Sequence, residues 1–396
     1  MDNGKVLIVS ERWWPDGTGG ILASHLIAQV LQSVGFKLTV LHGTEKPIKV
    51  GGINYIYTGF LSVRDKHRLW ANCLLLSKSA WFLKMLRECD IVYIPRYCYP
   101  IIHIAKNMGK RVIVHLHDYQ PVSYNSVIFS DQGAADKVVY FELLEHGSIS
   151  RTLIAAFTSH INKLCRIWLK DADAVICVSR RQAEIISKRA PELASRLKIV
   201  YNPLPNMPFI KKNLGDPTFL YVGGDSYVKG FHILLKASRK ILKEHPHTKL
   251  LLTGVLKKKD TKLVIDTLNM KYKNVYSLLG FIPRGELQKL YAMSCALLFP
   301  SIWEEPLPYA VVESMLAGTL PIASKVGGVP EIVGGTPAEK FMFTPINVNE
   351  FVNRMECVLS MGAEQLTDIG LSLREEVLRR FNQEATRNVL VKVFFG

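Results

Sequence analysis

The chain has 396 residues, 48% of them apolar and 21% charged, and its 50 Lys and Arg against 34 Asp and Glu give a formal net charge of +16 and a pI near 9.4. That length exceeds one compact domain and suits two. No run approaches the roughly 18 apolar residues of a membrane span, and seven cysteines with no C-x-x-C pair argue against a disulfide framework or a cysteine zinc site.

The chain opens on "MDNGKVLIVSERWW", whose apolar stretch Val6 to Val9 is too short for a signal-peptide core, so a cytoplasmic location is expected. "KVLIVS" reads as a strand, followed by a helical period from Ala23 to Val34 that stops at Gly35. Strands follow at "KLTVL" (Lys37–Leu41), "DIVYIP" (Asp90–Pro95), "RVIVHLHD" (Arg111–Asp118), "DAVICVS" (Asp173–Ser179) and "KIVYNP" (Lys198–Pro203). These are continuous β-rich runs, as in parallel strands covered by helices on both faces. Three prolines in Asn202–Pro208 mark a linker, after which the pattern restarts with "TFLYVGG", "KLLLTG", "VYSLLGF", "ALLFPS" and "LPIAS". The expected fold class is α/β, two doubly wound Rossmann-like domains facing a central cleft. The boundaries are 1–205 and 206–375, and ligands bind at the carboxyl ends of the strands.

Several loops suit a phosphorylated ligand. "PDGTGG" places Gly17, Gly19 and Gly20 between a strand and a helix, where backbone N–H groups can approach an anion; a glycine-rich turn without a ligand fits the same spacing. "YVGGDSYVKG" repeats the arrangement with Gly223, Gly224 and Lys229, a lysine that suits a phosphate or merely sits in a surface turn. In "PSIWEEPLPYAVVESMLAG", Glu305 falls in a strand-end loop and Glu313 eight residues later in a helix that Gly318 can end. Carboxylates accept hydroxyl hydrogen bonds, so the two could grip a hexose and a ribose on either side of a diphosphate. The plainer reading makes them a solvated glutamate and a surface ion-pair partner, and Glu304 is assigned to it.

Taken together, the "PDGTGG" loop, "LHD", "DADAVICVS", "YNPLP", "YVGG…VKG", "GFIPRGEL", Glu305-x7-Glu313 and "GGVPEI" resemble, in order and over nearly the whole chain, the retaining glycosyltransferases of family 4, which have the GT-B fold. The resemblance implies a metal-independent enzyme, without a cofactor, that moves a hexose from a nucleotide-diphosphate sugar to an acceptor hydroxyl with retained configuration. Glu305, His117 and Lys229 would be its catalytic residues: Glu305 binds the donor sugar, His117 contacts it, and Lys229 neutralises the departing diphosphate. Glu313 would hold the ribose, Gly19, Gly20, Gly223 and Gly224 would line the donor, and Phe281, Ile282 and Arg284 would lie against the base. The family's usual arginine after the first glycine of "YVG" is here Gly224. A proline, Pro308, replaces a common glycine, leaving Leu307, Tyr309 and Ala310 as backbone donors. The C-terminal helix, 376–396, would cross back to the first domain, and the linker would serve as a hinge.

"DAD" at Asp171–Asp173 precedes a strand at its amino end and is not read as a metal site; His115, deeper in its strand than His117, is read as core. The acceptor falls to the first domain, through 60–86 and 119–169. There, cations mixed with Trp70, Trp81 and Phe82, and the run "SISRTLIAAFTSHINKLCRIWLK", suit either packing on the sheet or an anionic membrane interface. The expected partners are therefore a nucleotide sugar and a glycan or lipid-linked acceptor at the inner face of a membrane, without nucleic acid. Alternatives are a sugar-nucleotide epimerase on the same fold, a basic nucleic-acid-binding protein, or a catalytically silent scaffold.

Overall fold

A computed structural model of the chain describes residues 3–17, 19–130, 138–273 and 275–396; Thr18 of the first glycine-rich loop and residues 131–137 of the acceptor segment lie outside them. The chain divides into two compact units, residues 1–127, 157–203 and 383–396 in one and residues 128–156 and 204–382 in the other.

In the first unit, β1 (Lys5–Ser10), β2 (Lys37–His42), β3 (Asn54–Tyr57), β4 (Ile91–Ile94), β5 (Arg111–Leu116), β6 (Ala174–Cys177) and β7 (Leu197–Ile199) form one parallel sheet in the order β3-β2-β1-β4-β5-β6-β7. The order reverses beside β1, the signature of a doubly wound sheet. Its register pairs Val6 with Leu38 and Ile8 with Val40 on one side of β1, and Ile8 with Tyr93 on the other. Val6 through Val9 are all buried, which explains why these strands read as continuous rather than alternating apolar runs. The helix Gly19–Ser33 buries Ile27, Ala28 and Leu31 against this sheet.

The second unit repeats the plan with β8 (Thr218–Val222), β9 (Lys249–Thr253), β10 (Tyr276–Gly280), β11 (Ala296–Phe299), β12 (Leu320–Ser324) and β13 (Met342–Phe343), all parallel in the order β10-β9-β8-β11-β12-β13. Every strand expected from the sequence is present. The two unanticipated ones, β3 and β13, are sheet edges only four and two residues long.

Two features depart from the expected boundaries. Residues 128–156 pack with the second unit although the strands flanking them in sequence belong to the first. The terminal stretch is also two helices: Ala363–Arg380 stays with the second unit, and only Gln383–Phe395 joins the first, placing Leu390 and Phe394 in its core beside Phe36 and Tyr93.

Trp70 and Phe82, expected as candidates for a membrane-facing set, are buried; the Trp70 Nε1–H donates to the Tyr97 carbonyl at 3.1 Å and its ring meets Trp168 edge-on. Only Trp81 of the three is exposed. Six cysteines are buried and Cys357 is exposed, all as free thiols. No helix among the described residues is long and apolar enough to cross a membrane.

Candidate functional site

In the second unit the β8 strand ends at Val222 and hands the chain to a loop that returns as the helix Phe231–Glu244. The N–H groups of Gly223 and Gly224 both point to the Thr253 carbonyl, at 3.3 and 2.9 Å. This draws the next strand's exit loop so close that a Cβ on Gly224 would lie 2.4 Å from the Val255 carbonyl oxygen, and its φ of +60° belongs to the left-handed region. No arginine fits there, which is the physical reason for the sequence's departure at this position. Asp225 completes the junction: its buried carboxylate accepts from the N–H groups of Lys257 and Lys258 at 2.8 and 2.7 Å and from the Thr261 hydroxyl at 2.9 Å.

At the far end of the same loop, the Lys229 Nζ donates to Glu305 Oε1 at 2.7 Å, and the Ser301 hydroxyl donates to the same oxygen at 3.0 Å. Glu305 is buried at the carboxyl end of β11, so a charged group kept from water is held by a cation and a hydroxyl. The lysine also lies 5.6 Å from the centre of the Trp303 ring.

Glu313 is buried in the helix Tyr309–Leu316 and ion-pairs with Arg284, the first residue of the helix Arg284–Met293. Burial pushes the Glu313 carboxyl up, and the Arg284 guanidinium opposes that rise. The same guanidinium lies 5.9 Å from the Tyr309 ring centre. Phe281, just beyond β10, is 75% exposed, Ile282 is half-buried, and neither is drawn into this pair. Pro308 caps the Glu313 helix without a hydrogen bond of its own, while the Ala310 carbonyl accepts from the Tyr291 hydroxyl at 3.2 Å and Leu307 is buried.

Glu304 corrects the sequence reading. It is buried rather than solvated, and its carboxylate accepts the Gly327 N–H at 2.8 Å. The Gly328 N–H in turn donates to the Glu305 carbonyl at 2.8 Å, and a Cβ on Gly327, at φ +48°, would fall 1.8 Å from that oxygen. "GGVPEI" is thus a turn laid directly on the backbone of the two glutamates, and glycine is required for the approach.

In the first unit Gly20 starts its helix against His117, where a Cβ would lie 2.9 Å from the His117 Cβ, with Gly19 just before it. His117 follows β5 directly and stacks on His115 at 4.4 Å between ring centres. His115, fully buried as expected, shares a 2.8 Å hydrogen bond with the Tyr93 hydroxyl, and burial lowers its pKa to about 3. His117 is also held well below the usual histidine range, by burial first, then by His115 and Arg96. Both imidazoles are neutral near pH 7.

The "DAD" carboxylates serve local structure. Asp173 pairs with Lys106 at 2.7 Å and accepts the Val112 N–H at 2.7 Å, and Asp171 lies 3.4 Å from His103. Among the described residues no group of three or more His, Cys, Asp or Glu is placed to hold a metal.

The structure therefore gathers Gly20 with His117, Gly223 and Gly224 with the Val255 loop, Lys229 with Glu305, and Arg284 with Glu313. Sequence reasoning missed Ser301, Asp225 and Trp303. Ser301 had a signal in its place at a strand end four residues before Glu305, whereas Asp225 acts on a loop that is near only after folding.

Residues 205–373 match the profile of the family described as glycosyl transferases group 1. The spore coat protein SA of Bacillus subtilis is 26% identical over 250 residues, covering 58% of this chain and 66% of that protein. A phosphatidylinositol N-acetylglucosaminyltransferase of Arabidopsis thaliana is 20% identical over 363 residues, 90% of this chain and 74% of its own. The chain covers less than two-thirds of the curated relatives it matches first. In fold it superposes on the sucrose-phosphate synthase of Thermosynechococcus elongatus with a TM-score of 0.75 at 18% identity, covering 98% of each chain. It superposes on the Anabaena HepE complex with UDP-glucose with a TM-score of 0.67 at 16% identity, covering 99% of each. These likenesses show a GT-B fold.

Proposed function

We propose that this chain, which has the GT-B fold and belongs through residues 205–373 to the glycosyl transferases of group 1, moves a hexose from a nucleotide-diphosphate sugar to an acceptor hydroxyl with retained configuration. The observation that carries the reading is the pair of buried carboxylates in the second unit, Glu305 and Glu313, each matched to one cation, Lys229 and Arg284. A buried carboxylate has strong hydrogen-bonding capacity that sugar hydroxyls satisfy, and a cation beside it suits the diphosphate that joins sugar and base. A UDP-sugar is the first donor class to test, since the Anabaena protein binds UDP-glucose on the same fold.

In this reading Glu305 holds the hexose and Glu313 the ribose, which takes the place of Arg284 on that carboxylate. Lys229 moves from Glu305 toward the charge that develops on the leaving diphosphate, an electrostatic contribution that raises turnover more than binding. Gly19 and Gly20 present backbone N–H groups, and Gly224 leaves the phosphates to Lys229 alone on its side. His117, neutral, acts as a hydrogen-bonding group to the transferred sugar. No residue is assigned as a covalent nucleophile and no metal is invoked.

The acceptor is proposed to be lipid-linked and presented at a membrane surface. The helix Ile149–Thr158 supports this, since Ile149, Leu153, Ile154 and Phe157 are 72%, 55%, 58% and 77% exposed and fall on one helical stripe. The Arabidopsis relative, a phosphatidylinositol N-acetylglucosaminyltransferase, agrees with it.

The test is a thermal-shift screen of UDP, GDP and ADP with their sugar conjugates, repeated on Glu313→Ala. A ligand at ~100 times its Kd stabilises the folded state by about 2.7 kcal/mol. Stabilisation by one nucleotide family that Glu313→Ala abolishes is the expected result, and silence toward all of them would sink the reading.

A further inference from the structure

The segment 128–156 leaves the first unit's sequence to pack on the second, and within it Glu145 has no part in the site described above. Its position is unusual for a glutamate: it is buried in the short helical turn Glu142–His146, and its carboxylate is surrounded by the loop that carries Lys229. The Ser226 hydroxyl donates to its two oxygens at 2.9 and 3.0 Å, the Tyr227 N–H donates at 2.8 Å and the Val228 N–H at 3.3 Å. Lys257 Nζ stands 3.7 Å away, and Lys258 Nζ donates to the neighbouring Leu144 carbonyl at 2.9 Å. The hydroxyls of Tyr140 and Tyr227 meet at 3.1 Å.

The same segment reaches the other member of the Lys229–Glu305 pair. Ser130 donates to the Ile302 carbonyl through both its N–H and its hydroxyl at 3.0 Å, Phe129 bridges Trp303, and the Glu304 N–H donates to the Ile128 carbonyl at 2.8 Å. The backbone immediately before Lys229 and the backbone immediately before Glu305 are therefore both held by one distant stretch of chain.

We propose that Glu145 is a positioning residue for the Lys229–Glu305 pair, a role in catalysis that rests on the donor-site reading above. Lysine reaches its partner through four rotatable carbons, so the direction of the ammonium is set by where the backbone is fixed. Three glycines, Gly223, Gly224 and Gly230, make that backbone intrinsically loose. Charge-assisted hydrogen bonds from successive N–H groups to a carboxylate supply the missing rigidity, and a buried carboxylate gives them up only at a large desolvation cost.

The proposal is tested first without any donor, on the full chain, by quantifying lysine acylation with an N-hydroxysuccinimide ester and peptide mass spectrometry. In Glu145→Gln, Lys229 should be acylated several-fold faster than in the parent protein. Lys249 and Lys289, paired with Asp216 and Glu286, should not change, nor should the buried Lys212 of the same unit. Unchanged Lys229 reactivity would overturn the proposal, and so would a parallel rise at Lys212, which would mean that the unit had merely loosened. If Glu145→Gln does not fold, Ser226→Ala removes one of the same bonds and should shift Lys229 in the same direction by less.

Turnover gives the second readout. Glu145→Gln should lower kcat roughly tenfold with little change in KM, since small misplacements of a catalytic group cost rate. The loss should vanish in a Lys229→Met background, because two residues acting as one unit are not additive. An equal loss in both backgrounds would overturn the positioning role. A parent protein that turns over no sugar nucleotide would overturn the donor-site reading instead, while the acylation result still decides the geometry.

Discussion

His115 carries a stability consequence independent of any reaction. Its pKa in the folded chain is lowered to about 3, against 6.5 when unfolded, because burial penalises the charged ring. Between those values the unfolded chain binds the additional proton, so this histidine's share of stability is present above pH 6.5 and lost as the pH falls toward 3. At pH 5 the loss is about 2 kcal/mol. Urea titrations at pH 7 and pH 5 should show that His115→Gln removes this part of the acid sensitivity. Gly224→Arg, which restores the residue common in the family, should lower stability by roughly 2 kcal/mol or more, since it combines positive φ with a carbonyl in the space for Cβ. A Gly224→Arg protein that melts at the parental temperature would contradict the loop geometry. At this scale the sequence was legible where function imposes a spacing, as for Glu305, Glu313 and Lys229. It was misleading at Glu304, a charged residue whose burial depends on a turn 23 residues further on. It was silent at Glu145, whose partners lie more than 80 residues away.

Among the elements, the central strands were readable because both faces of a parallel strand are covered, and little else produces such unbroken runs of Val, Ile and Leu. The edges β3 and β13 carry no such pattern, being short and bonded on one side only. Helices were readable by period, but not the use of their apolar faces. In the stretch holding Trp70 and Phe82 those faces turn to the core, while the helix Ile149–Thr158 buries only Ala155 and turns its apolar stripe outward. A double substitution, Leu153→Glu with Phe157→Glu, should leave the melting temperature unaltered, since both side chains are exposed. It should abolish co-flotation with vesicles containing anionic lipid at moderate salt. Parental and variant proteins floating equally would remove this helix from the membrane account.

At the scale of the molecule, two α/β units were evident from a pattern that stops at a proline-rich linker and starts again. What the pattern could not convey is that each unit is assembled from pieces separated in the chain, because nothing local marks residues 128–156 or 383–396 as belonging elsewhere. The terminal helix contributes Leu390 and Phe394 to the first unit's core, and the Arg111 guanidinium donates to the Val393 carbonyl at 2.9 Å. Phe394→Ala should therefore destabilise the first unit by about 3–5 kcal/mol, the cost of emptying a fully buried aromatic site. Two calorimetric transitions should resolve, with only one displaced; a variant that melts like the parent would place this helix outside the core.

That arrangement has a consequence for the order in which the protein becomes complete. A ribosome finishes β7 and then must deliver all of residues 204–382 before the helix that covers Phe36 and Tyr93 emerges. At synthesis rates of roughly 5–20 residues per second the nascent first unit waits on the order of ten seconds or more with an apolar furrow open to solvent. The later-made second unit, apart from its borrowed segment, has all its strands in hand before the earlier-made first unit can close. Chaperone capture of the growing chain should accordingly fall on the first unit, and end when residues 383–396 clear the exit tunnel.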